Sequence, residues 1–113
     1  MHIATKSSKI DVSDQKRLLE VAVKFTKIIE KGDIFLLYGD IGVGKTTFTK
    51  FFINNLQIKN SLNKSEILSP TFNILNEYQI KNLNIKHFDF YRIRSKNELD
   101  NLGIFEDKEA IKI

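Results

Sequence analysis

Gly39-Asp40-Ile41-Gly42-Val43-Gly44-Lys45-Thr46-Thr47 satisfies the spacing G-x-x-x-x-G-K-[ST] at every fixed position. The pattern has a mechanism. Gly39, Gly42 and Gly44 allow backbone conformations closed to residues with a side chain, so successive N–H groups turn inward and cradle the α- and β-phosphates of a nucleotide. Asp40, Ile41 and Val43 lend the same cradle their backbone. Lys45 brings a positive charge to the β- and γ-phosphates. Thr46 offers a hydroxyl to Mg²⁺, and Thr47 lies in the first turn of a helix whose positive end faces the anion.

So short a pattern recurs by chance, and its flanks decide whether it is meaningful. Asp33-Ile34-Phe35-Leu36-Leu37-Tyr38, directly before it, is an apolar run of strand formers and predicts a buried parallel strand. Thr46 to Leu56, directly after it, places Phe48, Phe51, Phe52 and Leu56 at helical spacing. Strand, glycine loop and helix are the context that the motif requires.

The chain has 113 residues, 42% of them hydrophobic and nine of them Phe, which is enough for one folded domain over 1–113. That length is short for a doubly wound nucleotide-binding fold, so a minimal or truncated version is expected. The formal charge of +4 comes from Lys scattered along the chain, which compositional bias explains better than a nucleic-acid surface does. The absence of Cys excludes disulfides, Cys-bound zinc and thiol catalysis. The first residues lack the apolar core of a signal peptide and no apolar run approaches a membrane span, so a cytoplasmic protein is expected.

Outward from the loop, His2 to Thr5 is a candidate edge strand. Ser13 is the expected N-cap of an amphipathic helix, with Leu18, Leu19, Ala22, Phe25, Ile28 and Ile29 on one face and Gly32 as its stop. Lys59 to Glu66 reads as an exposed, mobile loop. Pro70 holds Ser69 extended. Phe72 to Ile80 and Asn84 to Ile93 predict an antiparallel hairpin joined at 81–84. On its second strand, alternation puts His87, Asp89 and Tyr91 on one face, and Lys86, Phe88, Phe90 and Arg92 on the other. Ser95 to Asn101 predicts a short capped helix with Glu98 at its third position, and Ala110 to Ile113 begins a further strand.

Together, the loop at 39–48, Ser-Pro-Thr-Phe at 69–72, Asn-Glu-Tyr at 76–78, His-Phe-Asp-Phe-Tyr-Arg at 87–92 and Glu-Leu-Asp-Asn-Leu-Gly-Ile at 98–104 resemble the TsaE family. These are small bacterial ATPases needed for threonylcarbamoyladenosine on transfer RNA. The resemblance implies a P-loop NTPase fold of the α/β class, with a mixed, mostly parallel sheet, an antiparallel hairpin and flanking helices. It implies ATP and Mg²⁺ as cofactors, TsaD- and TsaB-like proteins as partners, and transfer RNA as an indirect one. Asp89 matches the family's Walker B acid, a metal ligand beside Thr46. Thr71 matches a switch-like residue sensing the γ-phosphate, and Lys45, Asp89 and Thr71 form the expected catalytic set.

Among the remaining motif residues, His87 would orient the surroundings of Asp89 or serve the core, Arg92 would stabilise phosphate charge or a partner's acid or stand in solvent, and Glu77 and Tyr78 would face a partner. The family's Glu-Trp-Pro strand has no counterpart here, because the chain contains no Trp and ends at Ile113. A missing C-terminal strand and a weak, partner-stimulated ATPase are therefore expected. Two other readings stay open: a nucleotide-sensing module without turnover, and a small P-loop kinase. The kinase is disfavoured because Arg17, Arg92 and Arg94 are too few for an arginine-rich lid.

Overall fold

A computed structural model describes residues 2–4, 9–11, 14–37, 44–70, 74–90, 95–104 and 106–113. The chain divides into two compact units, 1–29 with 37–68 and 30–36 with 69–113.

In the first unit, β1 (His2–Ala4) and β2 (Lys9–Asp11) pair antiparallel, Ile3 opposite Ile10. The first strand was expected from the sequence and its partner was not. Helix α1 spans Gln15–Ile28. Its cap is Asp14 rather than the expected Ser13, which lies outside the described residues; the Lys16 amide donates to the Asp14 carboxylate at 3.0 Å. Leu18, Val21 and Ala22 form its buried stripe, with Thr26 tucked in by donating its hydroxyl to the Val23 carbonyl at 2.6 Å. The helix ends at Ile29, whose N–H still bonds the Phe25 carbonyl at 3.1 Å but whose backbone is extended.

Helix α2 (Lys45–Lys59) packs on α1 and buries Phe48, Phe52, Ile53 and Leu56. The 48, 52, 56 spacing of the expected apolar face is the spacing of a single helix side. Phe25 of α1 meets the Phe48 ring edge-on, with centroids 6.0 Å apart. The 61–66 loop is exposed as expected, yet it is tied down. Buried Gln57 donates to the Ser65 hydroxyl at 2.9 Å and accepts from the Ser65 amide at 3.0 Å.

The second unit is built on a mixed sheet. Strands β3 (Leu75–Ile80) and β4 (Leu83–Phe88) form the expected antiparallel hairpin, closed more tightly than 81–84 by Lys81 and Asn82, with Ile80 opposite Leu83. The second strand's ladder ends at Phe88, short of the expected Ile93, and 91–94 lie outside the described residues. Strand β5 (Ile111–Lys112) runs parallel to β4, and an isolated parallel bridge joins Lys112 to Ile34. Ile80, Ile85 and Ile111 are buried on one face of this sheet, while Glu77 and Lys86 pair on the other at 3.9 Å. Helix α3 (Lys96–Asn101) has the predicted cap, with the Glu98 amide donating to the Ser95 hydroxyl at 3.3 Å.

Two sequence expectations need correction in this unit. Residues 33–37 do not form the buried strand that the apolar run suggests: Ile34 is 46% and Leu36 68% exposed, and among the described residues the segment's ladder contact is the single bridge to Lys112. One paired edge is too little to cover both faces. Gly32, expected as the helix stop, instead lies beyond it at φ +88°, donating its N–H to the Glu109 carbonyl at 2.9 Å. A Cβ there would stand 2.6 Å from the Lys108 carbonyl oxygen, so close approach of two backbones demands the glycine.

Candidate nucleotide site

The part of the glycine loop that the structure describes is its junction with α2. Gly44 is the N-cap of that helix and sits in the left-handed region at φ +107°, a conformation open to Gly and strained for other residues. Gly44 has no side chain with which to cap the helix, and no acidic residue lies in its first turn. The first-turn amides of Lys45, Thr46 and Thr47 therefore carry the positive end of a 15-residue helix without a carboxylate of the helix itself to neutralise it. Such an end favours an anion. Buried Thr49 donates its hydroxyl to the Lys45 carbonyl at 3.0 Å, and Phe48 is packed in the core one turn below, so the start of the helix is held from beneath. Gly39, Asp40, Ile41, Gly42 and Val43 lie outside the described residues, as do Thr71, Tyr91 and Arg92.

The second unit carries Asp89. It follows β4 directly, and its neighbours Phe88 and Phe90 stack on each other with centroids 5.4 Å apart. Both rings belong to one side of the chain, which alternation leaves opposite to Asp89. The Asp89 amide donates to the Ile74 carbonyl at 2.9 Å, and its Oδ2 accepts from the Ser69 hydroxyl at 2.7 Å. This last contact was not legible in the sequence, where Ser69 drew notice as the residue before Pro70 and as the first of Ser-Pro-Thr-Phe, with no link to Asp89. The two partners are twenty positions apart.

His87, two residues before Asp89, is buried, and its Nδ1 has no hydrogen-bond partner among the described residues. Burial lowers its pKa below the ordinary value of 6.5, with the Asp89 charge opposing in part. The unfolded chain then takes up a proton that the native state refuses. Stability is therefore full above pH 6.5, falls as the pH drops from there through the lower native value, and levels off beneath it. Thermal melts between pH 8 and 5 should show this loss, with a slope of at most about 1.4 kcal/mol per pH unit. A His87→Gln protein should lose less over the same interval. Parallel pH profiles for the two proteins would refute the assignment.

Glu77 is exposed and Tyr78 half-buried, opposite Lys86 and Ile85. A cavity of about 520 Å³ opens on the face of the sheet that carries Lys86 and Phe88, walled by Ile34, Leu36, Phe88, Phe90 and Ile104. It is mostly apolar and is lined by Phe88 and Phe90 but not by Asp89, so this hollow is not where the candidate chemistry sits.

In the second unit the donors at this point that could serve a metal are oxygens: the Asp89 carboxylate and the Ser69 hydroxyl it accepts from. No cluster of three His, Cys, Asp or Glu occurs among the described residues. That set does not suit zinc or an all-protein calcium cage. It fits Mg²⁺, a hard ion that takes one or two protein oxygens and fills its octahedron with water and phosphate. Among the described residues no helix is long and apolar enough to cross a membrane.

Comparison with known proteins agrees with these motifs. The family profile described as threonylcarbamoyl adenosine biosynthesis protein TsaE matches residues 12–113. The tRNA threonylcarbamoyladenosine biosynthesis protein TsaE of Rickettsia typhi is 40% identical over 95 residues, covering 84% of this chain and 63% of that protein. Its counterpart in Bacillus subtilis is 37% identical over 97 residues, covering 86% of this chain and 55% of that protein. The crystal structure of Bacillus subtilis YdiB superposes with a TM-score of 0.61 at 29% identity, covering 88% of this chain and 57% of that one, which supports the α/β fold. The chain thus spans a little over half to almost two thirds of the length of these relatives. With a family profile matched over nearly its whole length, the chain belongs to the TsaE family.

Proposed function

We propose that this chain binds Mg-ATP and works as a P-loop ATPase component of threonylcarbamoyladenosine biosynthesis on transfer RNA, together with TsaD- and TsaB-like partners. The observation that carries the reading is the N-terminus of α2, entered through the left-handed Gly44, with no acidic residue in the first turn that Lys45, Thr46 and Thr47 begin. Around it the glycine loop at 39–43 supplies further amides to the phosphates. Lys45 neutralises phosphate charge, and Thr46 and Asp89 are the oxygen ligands assigned to Mg²⁺. The metal, when bound, screens the charge that builds on the phosphate oxygens during transfer to water. Thr71 keeps its expected role as a sensor of the γ-phosphate.

Positioning and charge stabilisation are what phosphoryl transfer asks of a protein, and a domain that leaves water-orienting groups to a partner turns over slowly alone. Slow basal hydrolysis, raised by the partner proteins, is the corresponding expectation.

Calorimetric titration of ATP with and without Mg²⁺ tests the site. The Asp89→Asn protein should lose the Mg²⁺-dependent gain in affinity and keep its metal-free affinity. An undiminished gain would remove Asp89 from the metal. The pathway is tested in the source cell: loss of threonylcarbamoyladenosine from its transfer RNA when Lys45→Ala replaces the native chain supports the reading, and an unchanged nucleoside content overturns it.

A further inference from the structure

We infer that Ser69 is a positioning residue for the Asp89 carboxylate, fixing its orientation toward the metal. The inference rests on the reading of Asp89 as the Mg²⁺ ligand. At 2.7 Å, the bond from the Ser69 hydroxyl to Asp89 Oδ2 lies in the range of hydrogen bonds to ionised oxygen. It engages one named oxygen of the carboxylate, and so bears on the rotation of that group about its Cβ–Cγ bond.

The rest of the local structure holds both partners in place. Ser69 precedes Pro70, whose ring restricts the Ser69 backbone to extended conformations and whose own side chain is buried. The Pro70 carbonyl accepts from the Ile74 amide at 2.6 Å, and the Ile74 carbonyl accepts from the Asp89 amide at 2.9 Å. Ile74 itself is held at φ +69°, a conformation that a β-branched residue adopts only when its surroundings impose it. Asp89 is therefore tied to the segment that begins at Ser69 by its backbone and, separately, by its carboxylate. The backbone tie survives removal of the hydroxyl, so the side-chain tie can be tested alone.

Partners that orient a ligating carboxylate are worth 10- to 100-fold in metal affinity. Ser69 is exposed, so the lower end of that range, about tenfold, applies. Mg²⁺ is titrated into protein at fixed ATP, and the midpoint of the Mg²⁺-dependent gain in ATP affinity is read by calorimetry, with metal-free ATP affinity and the melting temperature measured on the same samples. Ser69→Ala should raise the midpoint about tenfold at unchanged metal-free affinity, and Ser69→Thr, which keeps the hydroxyl, should restore it.

A Ser69→Ala protein that melts earlier with the midpoint unmoved would overturn the inference and leave Ser69 as a loop tie. Asp89→Asn separates the two levels. If it abolishes the Mg²⁺ gain while Ser69→Ala leaves the midpoint unchanged, the positioning role alone falls. If Asp89→Asn also leaves the gain intact, both the positioning role and the metal assignment fall.

Discussion

Lys45→Ala should weaken ATP binding by about 10- to 100-fold while leaving the fold in place. Lys45 is the first residue of α2, directly after the left-handed Gly44, and it supplies the full positive charge of the loop motif. Hydrogen bonds to charged groups contribute about 1.5–3 kcal/mol, which sets the size of the loss. The helix itself should tolerate the change, since Ala is the strongest helix former. What remains is the helix dipole and the loop amides, which sense the phosphate but carry only partial charge. Titration calorimetry with ATP, beside a melt by circular dichroism, separates the two effects. Equal ATP affinity in the variant would end the phosphate-loop assignment.

The legible parts of this chain were those whose chemistry is contiguous. Helix α2 was readable because Phe48, Phe52 and Leu56 repeat at the helical period, and the β3–β4 hairpin because His87 and Phe88 fall on opposite faces of an alternating run. The glycine pattern at 39–47 drew notice because its residues adjoin one another; the structure describes it from Gly44 onward. Boundaries were harder: Ser13 and Asp14 are both competent caps, and which one engages depends on backbone geometry that neither residue type declares. The hairpin turn was blurred because it is closed by Lys81 at φ +53° rather than by a glycine. Strand β2 escaped because Lys9-Ile10-Asp11 holds one apolar residue, too few to show a period.

Other features depend on contacts that a linear reading does not contain. The apolar run at 33–38 looked buried because composition cannot report how many edges and faces of a strand are covered. Gly32 looked like a helix stop, and only the Lys108 carbonyl explains it. Ser69 and Asp89 show the same limit at the site, since their bond joins residues twenty positions apart. Asp89 alone could be suspected from the acid in its aromatic strand; its hydroxyl partner had no signal beyond Ser-Pro.

Phe52→Ala should cost about 3–5 kcal/mol of stability, the usual range for deleting a buried aromatic ring. Phe52 is fully buried in the first unit and stacks on Phe48 with centroids 6.3 Å apart and ring planes 13° from parallel. Phe48 in turn meets Phe25 of α1 edge-on, so the ring removed belongs to an aromatic chain that joins the two helices. Truncation leaves a void that neighbours on a rigid helix fill only in part, and the cost adds lost contacts to lost burial. Domains of this kind are stable by about 5–15 kcal/mol, so the variant should stay mostly folded but unfold at a much lower urea concentration. Phe51, half-buried on the same helix, provides the control: Phe51→Ala should cost far less. The expected profile is the reverse of that for Lys45→Ala. Phe52→Ala should lose stability with ATP affinity nearly unchanged in the folded fraction, because the ring lies seven residues from Lys45, at the end of α2 where we propose that the phosphates bind. Urea titrations giving equal stability for Phe52→Ala and Phe51→Ala would show that the α1–α2 core is not organised around this aromatic stack.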